Sequence, residues 1–166
     1  MRRAVPFVCL LILLPLVSFA QKLISFEQGD KYGYVNEFGK VILKPQFPLV
    51  FSDTITNIGF VCDSKSKHIL CINNLGEPLF YTFNYDNGPD YPSEGLFRIV
   101  NETGLIGYSD VNGNIVIAPI YKFAYPFKNG KAKVASEGYA VQEKEYVRWE
   151  GDNWYYILNP LKERPN

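Results

Sequence analysis

The sequence predicts an all-β protein. It should be built of tandem three-stranded antiparallel units of about 37 residues, stacked in an open, twisted, solenoid- or propeller-like array. Three observations carry that prediction. Residues 31–45 (KYGYVNEFGKVILKP) and 105–119 (LIGYSDVNGNIVIAP) write one pattern twice. Gly39, Gly76 and Gly113 are spaced 37 residues apart, and a fixed period of that size marks a repeat fold. Each of them closes a turn signature: N-E-F-G (36–39), N-N-L-G (73–76) and D-V-N-G (110–113).

Residues 1–20 stand outside the pattern. Arg2 and Arg3 give a basic start, Phe7 to Val17 is almost wholly apolar, and Ser18-Phe19-Ala20 places small residues at the −3 and −1 positions of a cleavage site. This is the pattern of a secretory signal peptide, with Gln21 as the mature N-terminus. A retained anchor is disfavoured, because the run is short and broken by Pro6 and Pro15, whereas a spanning helix needs about 20 apolar residues. Cys9 has no small residue before it, which argues against a lipid-modified cysteine. The expected mature chain, 21–166, suits one domain and has no segment apolar enough to span a membrane.

Each unit is predicted to be strand, turn, strand. Asn or Asp at the first turn position hydrogen-bonds the backbone two residues on, and Gly at the fourth tolerates positive φ. A type I turn followed by a left-handed Gly is a common hairpin connection. The second strands, K-V-I-L-K-P (40–45) and N-I-V-I-A-P (114–119), are expected to stop at Pro45 and Pro119, because proline cannot donate to a ladder. An aromatic follows in both, Phe47 and Tyr121. A third strand is expected at K-A-K-V-A (131–135), with L-F-R-I-V (96–100) as its counterpart in the middle copy. The repeats then fall at about 28–64, 65–100 and 101–137, followed by a partial cap over 138–166. In that cap W-Y-Y-I-L-N (154–159) resembles Y-G-Y-V-N after an insertion around 142–153. The middle copy is degraded. Leu70 replaces Gly33 and Gly107, Cys71 replaces Tyr34 and Tyr108, and Thr82 replaces the proline. One unit cannot bury its own apolar face, so neighbours must stack. Three units are fewer than the four or more blades of a closed propeller, which favours an open stack.

The pattern aromatic–G–Y–[IV]–[ND]–x–x–G–x–[VI]–I–x–P–x–[FY], then F–x–[ND]–G–x–A–x–V, resembles the WG repeat family, also called KWG repeats. It runs over about 28–134 and again at 154–159. The namesake Trp is Tyr32 in the first copy and Ile106 in the third, and only Trp154 restores it, without its Gly. The resemblance implies a bacterial, usually exported, all-β repeat protein, and it brings no catalytic motif.

Composition narrows the function classes. Without Arg2 and Arg3, 15 basic side chains face 17 acidic ones, a net charge of about −2. Lys and Arg are scattered singly, so the basic stripe of a nucleic-acid binder is missing and nucleic acid is not an expected partner. Cys62 and Cys71 flank the polar stretch D-S-K-S-K-H. In an oxidising compartment they could pair across a hairpin centred on Ser66 and Lys67, or they could remain as two buried free thiols. With the lone His68 they supply too few ligands for zinc, and no metal or cofactor is expected. No G-x-S-x-G elbow, H-E-x-x-H or P-loop occurs. Glu94, Glu102, Asp110 and Glu137 could serve a two-carboxylate hydrolase only by being present, and Asp110 already has a turn to form.

The expectation is therefore an exported, non-catalytic module that meets a protein or polysaccharide in the cell envelope or outside the cell. The alternative is a small envelope hydrolase or an inhibitor of one. Insertions in repeat folds map to loops that often form the binding face. Two segments break the register: Y-T-F-N-Y-D-N-G-P-D-Y-P (81–92) and Y-V-R-W-E-G-D-N-W-Y-Y (146–156). Aromatic and Arg side chains dominate interface energetics, so the candidate contact residues are Tyr91, Tyr146, Arg148, Trp149 and Tyr155.

Overall fold

A computed structural model describes residues 21–144 and 146–162; the signal-peptide expectation for 1–20 lies outside them. The first meander is β1 (Leu23–Gln28), β2 (Lys31–Asn36) and β3 (Val41–Phe47). With β4 (Thr54–Ile55) it forms a sheet of order β3-β2-β1-β4. The second is β5 (Ile58–Cys62), β6 (Ile69–Asn73) and β7 (Pro78–Thr82). A small hairpin follows, β8 (Asn84–Tyr85) and β9 (Gly88–Pro89). The third meander is β10 (Leu96–Val100), β11 (Ile106–Asp110) and β12 (Ile115–Tyr121). Pairing of β10 with β7 fuses the second and third meanders into one six-stranded sheet, β12-β11-β10-β7-β6-β5. The last sheet joins β13 (Phe123–Ala124), β14 (Lys131–Ala135) and β17 (Tyr155–Leu158). The insertion between β14 and β17 folds as its own hairpin, β15 (Glu137–Glu143) with β16 (Tyr146–Asp152). The protein is all-β, its sheets are antiparallel and do not close into a barrel, and no helix occurs among the described residues. None there is long and apolar enough to cross a membrane.

Three details differ from the sequence expectation. The first is the repeat frame. L-F-R-I-V and K-A-K-V-A do not close a unit; they open the next one. Arg98 in β10 lies opposite Tyr108, and Lys133 in β14 lies opposite Tyr156. The strand units therefore span 23–47, 58–82 and 96–121, with a fourth, hairpin-interrupted pair over 131–158.

The second concerns the prolines. β3 runs through Pro45 to Phe47, and β12 runs through Pro119 to Tyr121. Both are edge strands with matching register shifts beside Tyr34 and Tyr108. A bulge on an edge is where a sheet tolerates a residue without an N–H. The bulge also explains the Gly before each Tyr. A Cβ on Gly33 would lie 2.5 Å from the Leu43 carbonyl oxygen, and one on Gly107 would lie 2.4 Å from that of Ile117. The following Tyr is fully buried, and its hydroxyl donates to a loop carbonyl: Tyr34 to Ser52 at 2.6 Å, Tyr108 to Tyr125 at 2.7 Å.

The third is the cysteine register. The chain closes a six-residue loop, Asp63–His68, with Asp63 N donating to His68 O. The Asp63 carboxylate accepts from the Ser66 amide and hydroxyl. This loop places Cys62 opposite Ile69 and Cys71 opposite Phe60. The two cysteines are thus diagonal neighbours, a separation of about 7–8 Å that exceeds the reach of a disulfide. Both thiols are free. Burial pushes the Cys71 thiol up to about 12.

The turns share one geometry. Gly39, Gly76 and Gly113 have φ of 77°, 82° and 87°. In each turn the opening Asn36, Asn73 or Asp110 accepts on its Oδ1 from two backbone amides. N-E-T-G (101–104), between β10 and β11, repeats the arrangement: Asn101 Oδ1 accepts from the Thr103 and Leu105 amides. The core lies in two clusters. One gathers Leu23, Tyr34, Phe47, Ile55, Val61 and Ile72 from the first two units. The other is built on Leu96, Tyr108, Tyr121, Phe127 and Val134.

Candidate functional site: an aromatic cleft

The cleft grows out of the two segments that break the repeat. After β7 the chain turns away into the β8–β9 hairpin, whose tip residues Asp86 and Asn87 both take positive φ. Tyr85 and Tyr91 flank this hairpin edge to face, 6.4 Å between ring centres, and remain 52% and 71% exposed. Their segment is pinned to β10 by an ion pair. Arg98 and Asp90 are 4% and 5% exposed. The guanidinium donates from Nε to Oδ2 at 2.9 Å and from Nη2 to Oδ1 at 2.6 Å, a two-point fork. Nη1 donates to the Ala124 carbonyl, and the Arg98 amide adds a further bond to Asp90. The guanidinium carbon lies 4.1 Å from the centre of the Phe83 ring. A charged pair this buried holds only because each polar atom has a partner.

The β15–β16 hairpin supplies the opposite wall. Trp149 stacks on Phe123 (5.1 Å, 20° between planes) and meets Phe83 edge-on at 5.8 Å. Tyr125 leans on both Trp149 and Trp154 at 5.4 and 5.5 Å. Lys133 Nζ sits 4.8 Å above the Trp154 ring. Arg148 donates to Glu143 at 2.9 Å and pairs with Glu150 within the same hairpin. Between the walls lies a cleft of about 1080 Å³, lined by Phe83, Tyr85, Tyr91, Tyr125, Arg148 and Trp149 with Arg98 and Asp90 also at its surface. A second cleft of about 870 Å³ adjoins it across Tyr125 and Pro126 and carries Lys128, Lys131, Lys133 and Tyr156.

Tyr91, Arg148 and Trp149 thus line one cleft. Trp149 is half-buried in a ring cluster and Arg148 is paired with Glu143 and Glu150, so both enter the cleft wall as side chains held in place by their neighbours. Tyr155 is not brought to them. It lies on β17 beside Tyr121, 6.3 Å between rings. Tyr146 is on β16 opposite Glu143, and its side chain lies outside the described residues. His68 is exposed in the Asp63–His68 loop, edge-on to Tyr81. Sequence reasoning missed the Asp90–Arg98 brace and the Tyr125–Pro126 ridge. A signal for the first was available: one Arg inside an otherwise apolar strand asks for a buried acid. Among the described residues no group of three or more His, Cys, Asp or Glu could hold a metal ion.

The fold and cleft define an antiparallel β-repeat protein with an aromatic surface outside its repeated strands. The family model described as "WG containing repeat" matches residues 32–53 and 106–140, and the chain is a WG-repeat protein over those stretches. They include the G-Y, turn and bulged strand of the first and third units. No curated protein and no solved structure matches the chain.

Proposed function

We propose that the chain is an exported, non-catalytic interaction module that engages a protein or glycan through the aromatic cleft. The observation that carries this reading is convergence. Two register-breaking segments more than fifty residues apart supply Tyr85 and Tyr91 on one side and Arg148 and Trp149 on the other. Pockets rich in aromatic side chains with a few fixed polar groups are the usual form of a binding site. Asp90, the one carboxylate among the described residues that line the cleft, is committed to Arg98, which supports binding over hydrolysis. Export rests on the N-terminal pattern that ends at Ala20.

Two measurements test the reading. Intact-mass analysis of envelope-fraction protein should give a chain beginning at Gln21; a mass retaining residues 1–20 would overturn export. Capture from envelope extracts should be lost with Trp149→Ala/Arg148→Ala, and also with Tyr91→Ala, whose exposed ring can be removed with little effect on folding. Equal capture by variants that melt like wild type would move the binding face elsewhere.

A further inference from the structure

We propose that the two clefts form one continuous groove for an acidic polysaccharide, a chain of sugar rings bearing carboxylates or other anionic groups. This rests on the interaction reading above and names its ligand class. The first cleft is electrically settled: Arg98 is matched by Asp90, and Arg148 by Glu143 and Glu150. It offers the exposed ring faces of Tyr85 and Tyr91. The second is the reverse. Lys128, Lys131 and Lys133 line it, with no carboxylate among its described lining residues. None of the three joins an ion pair among the described residues. In a chain with as many acids as bases, three lysines gathered in one hollow concentrate positive potential and draw an anion.

The shared wall links ring-stacking to charge. Tyr125 and Pro126 border both clefts, so a polymer lying over Tyr125 passes from aromatic faces onto ammonium groups. The backbone along this path is already bonded. Tyr125 N donates to Lys133 O, Lys128 and Lys131 bond each other both ways, and so do Ser93 and Leu96. A peptide adding as a strand needs open backbone donors and acceptors, and these stretches do not present them. What remains is aromatic faces, hydroxyls and ammonium groups, which suit apolar sugar-ring faces, sugar hydroxyls and uronate carboxylates.

Both tryptophans border the groove, Trp149 in the first cleft and Trp154 under Lys133, so intrinsic fluorescence reports occupancy. The test titrates the mature chain with polygalacturonate fragments, a neutral glucan of equal length, and poly-glutamate. Polygalacturonate should bind best, weaken about tenfold or more in Lys128→Gln/Lys131→Gln/Lys133→Gln, and weaken as salt rises from about 50 to about 300 mM. The salt series on the wild type keeps the test valid should the triple variant melt early. Poly-glutamate binding as tightly would overturn the glycan in favour of an acidic peptide. Neutral glucan binding as tightly, with no salt effect, would overturn the role of the lysines. If none of the three binds while envelope capture remains sensitive to Trp149, this ligand class is wrong and the cleft reading stands. Should capture also ignore Trp149, the reading itself falls.

Discussion

The first and third units and the middle unit solve the same problem differently. In the flanking units a Gly lets the third strand bulge over it at a Pro, and the next residue, a buried Tyr, caps a loop carbonyl. In the middle unit Leu70 faces Tyr81 and Cys71 faces Phe80 without a shift, and a single irregularity remains, between Cys71 and Ile72. Gly, Tyr and Pro are therefore one device. Where Gly33 and Gly107 give way to Leu70, the bulge beside that position goes, the proline has no place, and the Tyr is replaced by a cysteine. The position opposite varies too: Ser25, Phe60 and Arg98 stand across from Tyr34, Cys71 and Tyr108. Of these three meanders the third alone puts a charge there, and that charge braces the cleft.

Moving the middle unit's residue into the third breaks the comparison most severely. Gly107→Leu drives a side chain into the Ile117 carbonyl and the Pro119 nitrogen. It should cost more than about 4 kcal/mol or prevent folding. The reciprocal Leu70→Gly removes a half-buried side chain and should cost about 2–3 kcal/mol with the fold retained. Denaturant melts measure both; a Gly107→Leu protein within about 1 kcal/mol of wild type would separate the Gly from the bulge.

Next in size is the brace. Asp90→Ala leaves the Arg98 guanidinium buried without its partner and should cost about 3–5 kcal/mol. Arg98→Phe with Asp90→Leu, which imitates Phe60 in the middle unit, should recover most of that loss. If Asp90→Ala is benign, Arg98 has another route to solvent and the units are more alike than the ladder implies.

Smaller effects sharpen the picture. Tyr34→Phe and Tyr108→Phe each strand a loop carbonyl and should cost about 1–2 kcal/mol. Two equal losses would mark the flanking units as energetic equivalents. The mildest probe is alkaline pH. Burial raises the Cys71 thiol to about 12 and the Tyr34 and Tyr108 phenols above their ordinary value. The folded state then keeps protons that the unfolded chain releases, so this contribution is intact below pH about 9 and is lost as pH rises toward 12. Melting temperature should fall over that window, and Cys71→Ala should soften the fall at its lower end. Over the same range Cys62 should label well before Cys71; equal labelling would mean that the second unit opens.

The sequence made the turns legible because their mechanism is local: the Asn or Asp, its amide partners and the Gly lie within five residues. The bulges were hidden. A proline that ends a strand and a proline carried on a bulged edge look alike until the Gly across the ladder is considered. The repeat frame slipped because L-F-R-I-V pairs on both sides, with β7 before it and β11 after it, and nothing local says which ladder bounds the unit. For the cleft, aromatic crowding in 81–92 and 146–156 was visible as broken register. That the two segments meet was not, since it depends on β10 pairing with β7 and on the fold of the inserted hairpin. Tyr155 looked equivalent to Trp149 in composition, yet strand alternation and the β14–β17 ladder carry it to another surface.

Within the three meanders, every strand pairs with its chain neighbour across a turn of two to six residues. Three ladders close over longer stretches, β1–β4 over 29–53, β7–β10 over 83–95 and β14–β17 over 136–154, and the last of these stretches contains both tryptophans. Short closures are fast and long ones wait on loop entropy. On refolding, far-UV dichroism should therefore recover first and tryptophan fluorescence should lag, with the cleft the last surface to assemble. Stopped-flow traces that rise together would place the inserted hairpin in the nucleus instead.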